Sequence, residues 1–214
     1  ESSLMAATIL SMLITPFFIA FGPHLAAGVG KIRFLTRMLN VRTADDLAAA
    51  AEKMKKHIII GGFGFAGKEL ARTLKDCRVP YLIAELNAET VHRAVREGEP
   101  AYFCDITNSE VLEMLGAAHA RELVILINDP GAVERAVRAA RTVSATLKII
   151  ARTNYLLDVE RLLAAGADEV IPAEREAAAR VVETVLERCR IDAAVTGDKI
   201  ALIREKIQEQ DSNN

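Results

Sequence analysis

From His57 onward, short apolar runs alternate with segments whose apolar residues recur every three or four positions. The runs near 57–61, 80–85, 100–103, 122–127, 147–152 and 169–172 have the length of strands, and the segments between them have the period of helices. Leu123 to Ile127 and Leu147 to Ala151 show little alternation, as strands covered by helices on both faces do. Six strands with helical crossovers predict an α/β fold, a Rossmann-like, doubly wound parallel six-stranded sheet in the order 3-2-1-4-5-6. In such a sheet a ligand lies beyond the carboxyl ends of the strands, where the order reverses.

The first 30 residues follow another pattern. Ser2 to Gly30 contain no Asp, Glu, Lys or Arg, and Leu4 to Phe21 are almost wholly apolar. A bilayer core of roughly 30 Å needs about 20 apolar residues in a helix, so residues 1–30 are expected to form a transmembrane helix kinked at Pro16. A signal peptide would carry a basic region before the apolar run, and a buried core helix rarely needs so long an uncharged stretch. Lys31, Arg33, Arg37 and Arg42 follow the run and only Glu1 precedes it, so the positive-inside rule places residues 31–214 in the cytoplasm. Thr43 to Asp46 resembles a capping box opening a connector helix from Ala44 to Lys56, within a linker over 31–56. A first residue of Glu rather than Met suggests a fragment.

The end of the first cytoplasmic strand carries the candidate chemistry. His57 to Gly67 runs from strand into G-x-G-x-x-G: Gly62 allows the tight turn, Gly64 lets the backbone approach a pyrophosphate, and Gly67 lets the helix pack on the strand. Phosphate then meets free N–H groups at the positive end of a helix. Glu85 closes the second strand 21 residues after Gly64, where a carboxylate that accepts ribose hydroxyls belongs; it disfavours a 2′-phosphate. The strand ends supply the other candidates: Phe63 and Phe65; Leu86 and Asn87; Asp105, Ile106 and Thr107; Asn128 and Asp129; and Arg152. Several also have structural readings. Asn87 suits the N-cap of a helix over 88–97, and Thr107 with Glu110 suits a T-x-x-E capping box. Asn128 to Gly131 suits a turn, Phe65 packing, and Arg152 a carboxylate on the next helix or a phosphate. Asp105, just past a buried strand, needs adenosine or a local N–H as partner.

Composition narrows the class. With 51% apolar residues the chain can bury a core, and 27 basic against 29 acidic side chains give no sign of a nucleic-acid partner. Cys77, Cys104 and Cys189 lie far apart without a C-x-x-C pair, and the four histidines have no ligand spacing, so neither disulfides nor a structural metal are expected. An NAD-dependent oxidoreductase would need an acid or base beside the nicotinamide. No Tyr-x-x-x-Lys pair occurs at Tyr81, Tyr102 or Tyr155.

Taken together, G-F-G-F-A-G at 62–67, Glu85 with Asn87, C-D-I-T at 104–107, I-I-A-R at 149–152 and G-A-D-E-V-I-P at 166–172 resemble the RCK N-terminal domain, also called KTN or TrkA-N, over residues 57–190. Leu10 to Pro16 is similar to the last transmembrane helix of Kef-type monovalent cation:proton antiporters, which directly precedes this domain. The resemblance implies a cytoplasmic regulatory domain that binds NAD(H) or AMP, with no catalytic residue. It also implies a homodimer through a long helix at about 174–190 that crosses to the partner, and a potassium-efflux antiporter in the inner (cell) membrane, whose membrane domain and bilayer it adjoins. Cys104 departs from the glycine usual before the Asp, and Phe65 stands where channel-associated relatives carry a phosphate-binding Arg, which disfavours ATP. Residues 191–214, read as a polar tail, leave no room for the second lobe of channel-gating relatives, so the gating module of a potassium channel or Trk-type transporter is the alternative.

Overall fold

A computed structural model of the chain describes residues 56–205, together with Met12 and Met54. The chain divides into two compact units, 1–43 and 44–214, and the sheet with its helices belongs to the second. The expected transmembrane helix and connector lie outside the described residues. Among the described residues no helix is long and apolar enough to cross a membrane.

The elements alternate as the hydrophobic pattern predicts: β1 (Ile58–Gly61), α1 (Phe65–Asp76), β2 (Tyr81–Glu85), α2 (Ala88–Arg96), β3 (Ala101–Phe103), α3 (Ser109–Met114), β4 (Glu122–Ile125), α4 (Pro130–Val143), β5 (Lys148–Thr153), a 3-10 turn at Leu156–Asp158, α5 (Val159–Ala165), β6 (Glu169–Pro172), α6 (Ala173–Arg188) and α7 (Ala193–Glu205). The sheet has the predicted order β3-β2-β1-β4-β5-β6. All five pairings are parallel, and Ile58 to Gly61 lie opposite Tyr81 to Ala84 on one side and Glu122 to Ile125 on the other. Right-handed crossovers leaving β1 in opposite directions must place their helices on opposite faces. One face accordingly packs Ile58, Ile60, Tyr81 and Ile83 against α1 and α2, and the other packs Ile59, Leu82, Leu123, Ile125 and Ile149 against α3, α4 and α5. The alternation along each strand therefore separates two cores, both apolar, which is why the sequence shows apolar runs rather than a period of two.

At the amino-terminal edge of the sheet two polar networks hold the strand starts. His57 is fully buried, and its Nε2 donates to the Leu115 carbonyl at 2.9 Å; burial lowers its pKa, so the ring is kept neutral. Gly166 ends α5 at φ 113°. The Asp168 carboxylate two residues on accepts from Arg141 at 2.6 Å, Lys148 at 3.0 Å and the Ile149 N–H at 2.8 Å. The G-A-D-E-V-I-P segment is thus a structural joint between α4, β5 and β6, on the edge opposite the ligand crevice.

Residues 191–205 differ from the expected polar tail. Asp192 caps α7, accepting from the Ala194 N–H at 2.8 Å, and Thr196 and Ile200 are buried against α6. The helix escapes detection in the sequence because its apolar residues are spread around it rather than gathered on one face, and only the packing of α6 onto α7 gives some of them a partner.

Candidate functional site

The turn from β1 into α1 has the geometry that its glycines demand. Gly62 sits at φ 102°, and its N–H donates to the Ala84 carbonyl at 2.8 Å. A side chain there would be strained, and its Cβ would also lie 3.1 Å from the Ile127 nitrogen. At Gly67 a Cβ would collide with the carbonyl oxygen of Gly62, so this glycine sets the approach of helix to turn. At Gly64, by contrast, a Cβ would meet nothing within 4 Å. The space over Gly64 is open, on the side where a ligand would enter.

Helix α1 begins at Gly64 without a side-chain cap and has no acidic residue in its first turn. Its first hydrogen bond runs from the Lys68 N–H to the Gly64 carbonyl at 3.0 Å, leaving the preceding N–H groups for an anion or solvent. Two other helices on this edge differ: Asn87 caps α2 through the Thr90 N–H at 2.9 Å, and Asp129 caps α4 through the Ala132 N–H at 2.5 Å. Only at α1 is the helix start kept free of a carboxylate or amide of its own among these three.

Glu85 closes the site. Its two carboxylate oxygens accept from the Phe63 N–H and the Asn87 N–H, both at 2.7 Å, so it clasps the glycine turn to the end of β2. Each oxygen retains a lone pair for a ribose hydroxyl. Asp105 accepts from the Thr107 N–H at 2.9 Å, the local partner that its position requires. Phe63 and Ile106 are buried, each 4% exposed, and therefore reach a ligand only through their backbone. Phe65 (84%) and Leu86 (57%) are exposed beside the crevice, so Phe65 does not serve as packing.

Two expectations are corrected. The cap of α3 is Asn108, whose side chain accepts from the Glu110 N–H at 2.9 Å, and not Thr107; Asp105 draws the Thr107 N–H back into the turn and delays the helix by one residue. Arg152 pairs with no carboxylate of the next helix. It donates to Asn128 Oδ1 at 2.9 Å and Asn154 Oδ1 at 3.1 Å, while Asp158 is taken by Arg161 at 2.7 Å and Thr153 at 2.9 Å. Asn154 and Phe103 join the rim without having been singled out by sequence; neither belongs to a motif, and β-pairing with Glu85 brings Phe103 there while a hydrogen bond from Arg152 holds Asn154.

Cys104 lies behind this rim. Burial first, and then the negative charge of Asp105, push its thiol up to about 12. A maleimide is expected to label exposed Cys77 and Cys189 rapidly in the native protein and Cys104 at least about tenfold more slowly. Mass spectrometry of a labelling time course, with a denatured control, reads the three sites separately.

No cluster of His, Cys, Asp and Glu among the described residues is arranged to hold a metal ion. The chemistry offered is recognition: free N–H groups for phosphate, a carboxylate for ribose and an apolar rim for a base.

Comparison with known proteins agrees with this fold. The chain is 31% identical over 190 residues to a putative K(+) efflux antiporter KefB of Alkalimonas amylolytica, covering 89% of this chain and 28% of that protein. It therefore spans little more than a quarter of that relative's length. Among solved structures, the TrkA-N domain of the inner membrane protein ybaL of Escherichia coli is 25% identical, with TM-score 0.59, 62% of this chain and 98% of that chain covered. The fold is also that of the Shewanella denitrificans Kef CTD in its AMP-bound form (21% identity, TM-score 0.58, covering 69% and 90%). The GsuK channel bound to NAD shares it as well (19% identity, TM-score 0.59, covering 85% and 32%). The TrkA-N domain pattern itself matches residues 58–173, which span the sheet from β1 to the start of α6 with the glycine turn and Glu85 inside it, and the chain belongs to this TrkA-N domain family.

Proposed function

We propose that residues 57–190 are the nucleotide-binding regulatory domain of a Kef-type potassium (monovalent cation):proton antiporter, and that NAD(H) or AMP bound at the glycine turn biases transport rather than feeding chemistry. The observation that carries the reading is the carboxylate clasp: Glu85 accepts from the Phe63 and Asn87 N–H groups beside an uncapped helix start. A phosphate on α1 and a ribose on Glu85 use the two features together. Asp105 and Thr107 then face the base, and Asn128, Asp129 and Arg152 border the far side. The KefB relative and the AMP-bound and NAD-bound neighbours support the ligand class and the antiporter context.

A ligand preferred by one arrangement of a dimer shifts its population by differential affinity. The homodimer of this proposal forms through α6, which packs on α7 rather than over the sheet and leaves Val181 (62%) and Val185 (52%) exposed. Ile171 of β6 is exposed as well (37%), although a parallel sheet is ordinarily covered on both faces. The rest of the antiporter, with residues 1–30 as its last membrane helix in the inner (cell) membrane and 31–214 on the cytoplasmic side, is the further partner.

Thermal denaturation of the full chain with NADH, NAD or AMP tests the ligand: at about 100 times the dissociation constant a ligand adds about 2.7 kcal/mol. No shift with any of them rejects the reading. Glu85→Ala is expected to weaken binding by about tenfold or more, by removing charge-assisted bonds to ribose. Unchanged affinity in titration calorimetry would remove Glu85 from the site. Potassium/proton exchange by the parent protein in vesicles, with and without nucleotide, tests the coupling.

A further inference from the structure

We infer that Arg152 and Arg135 form a receptor for a second anionic group, so that the site selects adenine nucleotides carrying a pyrophosphate over the monophosphate. This rests on the nucleotide reading above and adds to it a ligand class and a residue, Arg135, outside the motifs.

The glycine turn supplies N–H groups, Phe65 occupies the first helical position, and the Lys68 Nζ lies 5.9 Å from the centroid of the Phe63 ring. One phosphate at α1 can be held by N–H groups alone. A second phosphate brings further negative charge, and the cations for it stand one strand further along the sheet. Asn128 follows β4, the neighbour of β1, and strands lie about 4.8 Å apart.

The part-buried Arg152 guanidinium is fixed there by Asn128 Oδ1 at 2.9 Å and Asn154 Oδ1 at 3.1 Å, two neutral acceptors. It is therefore oriented without being neutralised, and it keeps unused N–H donors. Nearby arginines differ: Arg138 meets Glu134 at 2.9 Å, and Arg161 meets Asp158 at 2.7 Å.

Arg135 reaches the same turn from α4. Its Nη1 lies 3.3 Å from where a Gly131 Cβ would stand, so a glycine at 131 leaves room for the guanidinium to fold back over the start of the helix. Among the described residues Arg135 forms no hydrogen bond or ion pair. The opposing charge is Asp129, which faces the same space but spends Oδ1 on the Ala132 N–H. Two guanidinium groups against one capping carboxylate leave the turn net positive, at the end of the strand paired with β1.

ADP and AMP, which share base and ribose, separate the two readings when titrated calorimetrically into the full chain in metal-free buffer. ADP is expected to bind about tenfold more tightly than AMP, the effect of a charge-assisted contact. Arg152→Gln with Arg135→Gln is expected to abolish that advantage, and Arg135→Gln alone, an exposed substitution, to reduce it while leaving AMP affinity within about twofold. Asp129→Asn keeps a capping side chain and removes a charge, so it is expected to widen the ADP advantage. Equal affinities for ADP and AMP, or an advantage that survives the double substitution, overturn the inference while leaving nucleotide binding intact. Binding of neither nucleotide overturns the underlying reading and the inference with it.

Discussion

Gly67→Ala is expected to destabilise the domain by about 3 kcal/mol, lowering its melting temperature by roughly 6–12 °C, whereas Gly64→Ala should leave stability within about 0.5 kcal/mol and still abolish nucleotide binding. The two glycines belong to one motif but face different neighbours. A Cβ at 67 would collide with the Gly62 carbonyl oxygen and lie 3.2 Å from its carbon; both are backbone atoms that cannot rotate away. Relief requires α1 to move off the turn, which opens the core around Ile60 and Ala71. A Cβ at 64 meets nothing within 4 Å, and Gly64 has φ −72°, which alanine adopts without strain. The methyl group instead enters the space where a phosphate approaches the backbone. Thermal melts with and without NADH measure both effects together. Equal destabilisation by the two substitutions would contradict this division, as would a Gly64→Ala protein that binds normally.

Asp168→Ala is expected to cost about 3 kcal/mol, although the residue is part-exposed and on the edge of the sheet away from the ligand. Its carboxylate unites the Ile149 N–H, Lys148 and Arg141, while Arg141 also donates to the carbonyls of Gly166 at 2.6 Å and Leu147 at 2.5 Å. Removing it leaves the Ile149 N–H without its acceptor and a half-buried guanidinium without its counter-charge, losses that exceed those of an exposed pair. Nucleotide affinity should be unchanged, since the damage is at the opposite edge. Burial of the Asp168 carboxyl opposes its ionisation, but the Ile149 N–H, Lys148 and Arg141 outweigh burial and hold its pKa below the ordinary value. A folded pKa below the unfolded value of about 3.9 means that this stabilisation is complete above that value and lost as pH falls through the folded one. Acid titration below about pH 4 should therefore be shallower in Asp168→Asn than in the unsubstituted protein, by circular dichroism or fluorescence. A variant with the same stability and the same acid limb would show that the network contributes nothing net.

How far the sequence reached depends on what each residue's role rests on. Strand positions, sheet order and the two-faced core follow from the spacing of apolar runs, because a buried parallel strand must be apolar throughout and its crossovers have one hand. The glycine turn was legible because its constraints are local: a left-handed φ at 62 and close contact at 67 exclude other residues whatever the surroundings. Glu85 was legible because the length of α1 and its loops fixes its offset. Thr107 was misplaced because Asp105, Thr107 and Asn108 all offer the oxygen or N–H groups from which caps are made, and only the backbone path selects among them. Helix α7 was missed because its burial depends on α6 alone.

By itself, then, the amino-acid order determined a doubly wound sheet, the carboxyl edge of its strands and the residues at each strand end, since all three depend on periodicity and short-range sterics. Tertiary structure decided which of those strand-end residues expose their side chains and which bury them. It turned Asp168 and its motif from a family mark into a joint, and it brought Arg135 to Gly131 and Arg152 to Asn128 at the ends of one turn. These outcomes depend on contacts between residues distant in the chain, such as Arg152 with Asn128 and Asp168 with Arg141, whose free energies come from burial and hydrogen-bond geometry that no local pattern records.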